Sequence, residues 1–105
     1  MKDSSFKDYI LDQLSEIGDL RSKSMFNSFG LYSNDVFFAI ISDDILYLKT
    51  NEETKPRYIE AGMGPFIPSQ KQILKNYMEV PEEVIDNKEE LLDWAFESIE
   101  VAQKS

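Results

Sequence analysis

The sequence contains no cysteine and no histidine, and these two absences exclude more chemistry than any residue present supplies. Without cysteine there is no disulfide, no thiolate nucleophile and no haem attachment. Almost every zinc, copper or iron site built on sulfur or imidazole is removed as well. So are the hydrolase triads that rely on a histidine base. Positive charge is also scarce, with 11 Lys and Arg against 20 Asp and Glu and a net charge of −9. A phosphate backbone demands clustered cations, and the one small basic cluster is Arg21 with Lys23. Direct nucleic-acid binding by this chain alone is therefore not expected. No apolar run approaches the roughly 18 to 20 residues of a membrane helix. The start, Met1-Lys2-Asp3-Ser4-Ser5, has a single lysine before an acidic amphipathic segment and does not read as a signal peptide. The expectation is a cytoplasmic protein with no membrane association.

What is present is a globular composition: 105 residues, 42% apolar and 12% aromatic, enough for one domain (1–105) with a core of its own. The charge is unevenly spread. Residues 1–20 carry two bases and five acids, 21–78 seven and six, and 79–105 two and nine. Both ends are acidic and the centre is nearly neutral.

Phe6, Tyr9, Ile10, Gln13, Leu14 and Ile17 recur at helical spacing, with Ser5 and Asp8 as a capping-box start and Gly18 as a stop. Leu20–Met25 and Phe29–Tyr32 read as strands, the second closed by Asn34-Asp35. Val36 to Ile41 is a continuous apolar run, which suits a strand covered on both faces; Ile45 to Lys49 alternates, which suits one covered on one face. Asp43-Asp44 joins them as a hairpin. Thr50-Asn51-Glu52-Glu53 signals a helix start, ended by Gly62. Gly62, Gly64, Pro65 and Pro68 make 62–69 a loop. Residues 70–78 fit a helix or a strand. Pro81 to Val84 is one helical turn. Asn87 with Glu90 opens a last helix, whose apolar face is Leu91, Leu92, Ala95, Phe96, Ile99 and Ala102 and whose opposite face carries Glu89, Asp93, Glu97 and Glu100. Trp94 lies off that stripe, placed either to pack on the sheet or to meet another protomer. The pattern is α+β: two layers, an antiparallel sheet of about five strands with helices packed on it.

Several segments together resemble the N-terminal domain of the TfoX/Sxy family, bacterial regulators of competence genes. Met25-Phe26 with Gly30-Leu31-Tyr32 is similar to the family's MFGG-x-GLY box. Phe38-Ala39 and Asp44 with Leu46-Tyr47-Leu48-Lys49 resemble its FA…D…LYLK segment. Gly62, Pro65 and Phe66 resemble its G-x-x-PF turn, and Tyr77 with Val80-Pro81-Glu82-Glu83-Val84 its Y-x-x-VPEEV. Leu91, Leu92, Trp94 and Ala95 follow in order. Asn27 and Ser28 stand where the family has paired glycines. The resemblance implies a secretion-chaperone-like α+β fold, a strand over 71–79, and a stand-alone N-terminal domain without the family's C-terminal one. It implies a regulatory role and no enzymatic one.

The candidate interaction surface is Arg21, Lys23, Met25, Phe26 and Phe29. Methionine and aromatics dominate interface cores, while the same side chains beside a strand can equally enter the core. Arg21 and Lys23 suit an acidic partner, or guard an edge strand. Asp43-Asp44 with Glu52-Glu53 offers oxygen ligands for a hard cation but lacks EF-hand spacing, and hairpin turns and first helical turns favour acids for local reasons. Gly62-Met63-Gly64-Pro65 lacks the lysine of a phosphate loop. No catalytic residue, cofactor or metal ligand is assigned. The leading expectation is a non-enzymatic regulatory module with a protein partner, as a monomer or a homodimer. The alternatives are a small-ligand or metal-dependent enzyme using carboxylates and tyrosines, and a secretion-chaperone-like dimer with an exposed apolar groove. The charge argument makes one prediction. In a gel-shift assay at physiological salt, this chain alone leaves duplex DNA unshifted, and a strong shift would overturn it.

Overall fold

The computed structural model describes residues 5–25 and 28–104. Asn34-Asp35 and Asp43-Asp44 both sit at positive φ, at 50° and 66° in the first pair and 51° and 61° in the second. Two consecutive positive φ values mark the type I′ hairpin turn, whose twist matches that of paired strands. Asn and Asp tolerate that region better than other non-glycine residues. These two turns fold β2 (Ser28–Ser33), β3 (Val36–Ser42) and β4 (Ile45–Lys49) into an antiparallel meander, with β1 (Leu20–Met25) paired outside β2. After α2 (Lys55–Glu60), a second hairpin of β5 (Pro65–Ser69) and β6 (Gln72–Glu79) returns to pair β6 with β4. The result is a six-stranded antiparallel sheet in the order β1-β2-β3-β4-β6-β5, completed by α1 (Ser5–Gln13), α3 (Glu82–Ile85) and α4 (Lys88–Lys104).

One irregularity in β3 organises the packing. Leu31 pairs with Ala39 but its neighbour Tyr32 pairs with Phe37, leaving Phe38 as an extra residue. This is a β-bulge, and it breaks the strict alternation of faces. Phe38, Ala39 and Ile41 join the main core with Leu31, Leu46, Leu48 and the helices, whereas Phe37 and Ile40 join a second cluster with Tyr47, Phe66 and Tyr77. The continuous apolar run is thus covered on both faces, as its composition predicts. At the bulge, the buried Ser98 hydroxyl of α4 donates to the Phe38 carbonyl at 2.9 Å.

Several helix signals act where the sequence places them. Asn87 Oδ1 accepts from the Glu90 amide at 3.1 Å and its carbonyl accepts from Leu91 at 2.8 Å, starting α4. Gly62, at φ 82°, ends α2. Its amide donates to Ile59 and that of Met63 to Tyr58, the paired bonds of a Schellman motif.

Four expectations are corrected. Residues 65–69 form a strand and not a loop. β5 is an edge strand that begins at Pro65, and its pairing with β6 shifts register between Pro65 and Phe66 and between Phe66 and Ser69, which are the settings in which a strand tolerates proline. The regular part of α2 begins at Lys55, because Asn51 Oδ1 accepts from the Glu53 and Thr54 amides and holds 51–54 as a turn. Tyr9 and Phe96, read as apolar-face residues, are 41% and 50% exposed. Regular α1 ends at Gln13, although Leu14 and Ile17 remain buried in the turns that follow. Trp94 is buried against α2 by an edge-on contact with Tyr58, ring centroids 4.8 Å apart. Arg57 lies over the Trp94 ring at 4.2 Å and reaches Glu97 at 2.8 Å, tying α2 to α4.

The Ser98 contact is testable. Removing the hydroxyl strands a buried carbonyl, so Ser98→Ala should lower unfolding stability by about 1–3 kcal/mol, as read by urea denaturation. A loss no larger than that of an exposed Ser→Ala control would show that the hydroxyl does not hold the bulge.

Candidate functional site

Alternate residues of a strand share a face, and directly paired residues of neighbouring antiparallel strands share it too. The face opposite the helices therefore carries Arg21, Lys23 and Met25 of β1, because these pair with Tyr32, Gly30 and Ser28 of β2. It continues through Phe37, Ile40 and Ser42 of β3, and through Tyr47 and Lys49 of β4 with their partners Glu79 and Tyr77. The aromatic rings here lean on one another. Tyr32 stacks on Phe37 at 5.1 Å, Phe37 meets Tyr77 at 5.6 Å, and Tyr47 meets Phe66 at 4.7 Å. Lys49 Nζ lies 5.4 Å above the Tyr77 ring.

Between the Met25 end of β1–β2 and the β5–β6 hairpin this face forms a half-open groove of about 570 Å³. Phe37, Ile40, Phe66 and Leu74 supply its apolar surface, and Ser42 and Gln72 are among its polar margins. A separate hollow beside it is lined by Arg21, Lys23 and Tyr32. The face carries charge of both signs, with Arg21 and Lys23 on β1, Lys49 on β4, Glu79 on β6 and Asp43 in the β3–β4 turn. Burial raises the Tyr47 hydroxyl pKa above its ordinary value, with Glu79 and Asp43 adding to the effect. Burial likewise raises that of Tyr77, helped by Tyr32. Both phenols are neutral at physiological pH.

The candidate surface read from the sequence is divided by the fold. Arg21, Lys23 and Met25 lie on the groove face. Phe29 points to the helix side, packed on the main core with Lys7 Nζ 4.7 Å from its ring. Phe26 and Asn27 lie outside the described residues. The groove's other walls, Phe66 and Leu74, escape a sequence reading because 62–69 reads as a loop and 70–78 is ambiguous.

The acidic candidates are not brought together. Asp43-Asp44 and Glu52-Glu53 flank opposite ends of β4, which at about 3.3 Å per residue separates them by some 16 Å. Among the described residues no three Asp or Glu are grouped to hold a metal ion. A second hollow, of about 420 Å³, includes Asp44, Glu79, Glu82 and Asp86 in its lining. There Tyr9 donates to Asp86 at 3.0 Å, which raises the Tyr9 pKa. Among the described residues no lysine or arginine lines that hollow. No helix among the described residues is long and apolar enough to cross a membrane.

Comparison with known proteins matches residues 12–102 to the model of the TfoX N-terminal domain. A curated relative, the DNA transformation protein TfoX1 of Aliivibrio fischeri, is 27% identical over 81 residues. That match takes in 75% of this chain and 39% of the relative, so the chain spans about two-fifths of the length of the protein it resembles.

The face is tightly filled at Gly30. A Cβ there would lie 2.9 Å from Phe37 Cε1, 3.3 Å from Tyr32 Cε1 and 3.4 Å from Met25 Sδ. Gly30→Val should therefore splay the Tyr32–Phe37 stack and cost about 1–3 kcal/mol. Near-UV circular dichroism and thermal unfolding would both register it, and an unchanged aromatic spectrum would refute the packing described.

Proposed function

The chain belongs to the TfoX N-terminal domain family, and from that premise we propose that it is a non-enzymatic, competence-regulator-like module that acts in the cytoplasm by docking a protein partner on its helix-free sheet face. The observation that carries this reading is the groove itself. Its lining is apolar at Met25, Phe37, Ile40, Phe66 and Leu74 and polar at Ser42, Gln72 and the Asp43 carboxylate, and it is open rather than enclosed. Such a surface suits the side chains of a macromolecular partner better than a small substrate, which ordinary sites bury on most sides. Tyr47 and Tyr77, on the same sheet face but outside the groove's lining, are pushed away from ionisation, so they supply neither a phenolate nucleophile nor a general base near neutral pH. The relative's description as a DNA transformation protein extends this reading to regulation of DNA uptake, with the partner as the link to gene control.

The carboxylate-based enzyme is the weaker alternative. Its best location is the hollow around Asp44, Glu79, Glu82 and Asp86, where no cationic side chain among the described residues lines the site with the acids.

Affinity capture from the source cell tests the proposal, comparing the unmodified chain with the double variant Met25→Glu, Leu74→Glu. Both positions are incompletely buried, so the variant should fold. The expected outcome is a partner retained at physiological salt by the first and lost by the second, with matching far-UV spectra. Equal recovery by both, or no partner alongside turnover of a metabolite, would sink it.

A further inference from the structure

The β5–β6 hairpin is apolar on both faces. Phe66 and Leu74 are paired and turn to the groove, so strand alternation sends their neighbours Ile67 and Ile73 to the opposite, helix-side face. There they are 55% and 57% exposed, because α4 packs on β3 and β4 and leaves the hairpin bare. Ile59 of α2, 58% exposed, stands beside them. It lies one helical turn from Lys55, whose amino group reaches Asn76 of β6 at 3.4 Å. The patch is also cationic. Residues 61–78 contain Lys71 and Lys75 and no acid, and neither lysine makes an ion pair among the described residues. A surface of matching character lies on the same chain. Glu89, Asp93, Phe96 and Glu100 recur at helical spacing on α4, form one stripe and are exposed. Asp93, Phe96 and Glu100 line a half-open hollow of about 460 Å³ with Glu53. One patch is apolar and cationic, the other an aromatic ring set among carboxylates.

We propose that the chain forms a twofold homodimer in which Ile67 and Ile73 of each copy pack on Phe96 of the other, while Lys71 and Lys75 meet Asp93 and Glu100. Both patches lie on the helix side of the sheet. Two copies facing each other across a twofold axis therefore set each hairpin on the other's α4, and both contacts form at once. The groove lies on the other side of the sheet and stays open, so this goes beyond the docking reading without depending on it. Charge complementarity selects a second copy as the occupant. Hairpin against hairpin would oppose lysines to lysines, and α4 against α4 would oppose acids to acids, at a cost in either case. An anionic lipid surface suits the two lysines, but the molecule's −9 charge opposes its approach.

Sedimentation of the full chain tests the proposal, loaded from about 1 μM to 1 mM, a range that spans moderate to weak association. The mass should rise to twice the 12.2 kDa of one chain and go no further. Lys71→Glu, Lys75→Glu should weaken the dimer roughly tenfold or more, and so should Asp93→Lys, Glu100→Lys, because like charges then replace opposite ones. All four positions are exposed, so both variants should keep the far-UV spectrum of the unmodified chain. Mixing the two variants should restore a dimer containing one copy of each, since every hairpin then meets an α4 stripe of opposite sign. Ile67→Ser, Ile73→Ser should weaken the dimer as well, whereas the groove variant Met25→Glu, Leu74→Glu should leave it intact. A monomer at every concentration, masses that grow beyond the dimer, no recovery on mixing, or dissociation by the groove variant would each overturn the proposal. So would hairpin-dependent binding of a monomer to phosphatidylserine vesicles. None of these outcomes bears on the docking reading, which is decided by capture of a cellular partner.

Discussion

The extra residue in β3 is the constraint on which the rest of this structure depends. In a regular strand, the apolar run from Val36 to Ile41 would divide strictly by alternation. With Phe38 bulged, two consecutive residues, Phe38 and Ala39, turn toward the helices, and Phe37 and Ile40 both turn away. A bulge leaves the ladder locally disrupted. Here the Phe38 carbonyl is satisfied from outside the sheet, by the Ser98 hydroxyl, which also sets where α4 lies across β3. One hydrogen bond thus links the strand irregularity to the helical layer.

The second apolar face follows from the same shift. Phe37 and Ile40 need cover, and no helix provides it. The β5–β6 hairpin does, bringing Phe66 against Tyr47 and Tyr77 against Phe37. That cover is incomplete between the hairpin and β1, and the gap is the groove. The surface most suited to binding is therefore what remains of a sheet face after its own aromatics have packed on each other. Its lining includes the Asp43 carboxylate, whereas Arg21 and Lys23 line a separate hollow toward the β1 edge.

Local chemistry was legible where it acts over a few residues. The aspartate and asparagine turns, the glycine stop of α2 and the asparagine start of α4 all work through bonds within about one turn, and each appears as its residues imply. The family relation was legible for the same reason, since it rests on short segments in order. Legibility failed where distant pairing overrode local preference. Pro65 and Pro68 discourage regular structure in isolation, but the first residue of an edge strand and the irregular pairing that follows it tolerate them. Tyr9 and Phe96 fit the helical period yet lie at the margins of their stripes, outside the reach of the sheet. Phe29 and Met25 look equivalent in sequence and are sent to opposite faces by strand alternation.

By itself the sequence determined the class of fold, the turns, the acidic character and the absence of thiol and imidazole groups. These depend on composition and on neighbours in the chain, which the order of residues contains directly. Only the tertiary structure decided that Arg21, Lys23 and Met25 share a face with Phe37 and Phe66, and that Phe29 does not. Strand register, one bulge and a returning hairpin set that arrangement. Each depends on contacts between residues far apart in the chain, and their energies are balanced only once the whole sheet is assembled.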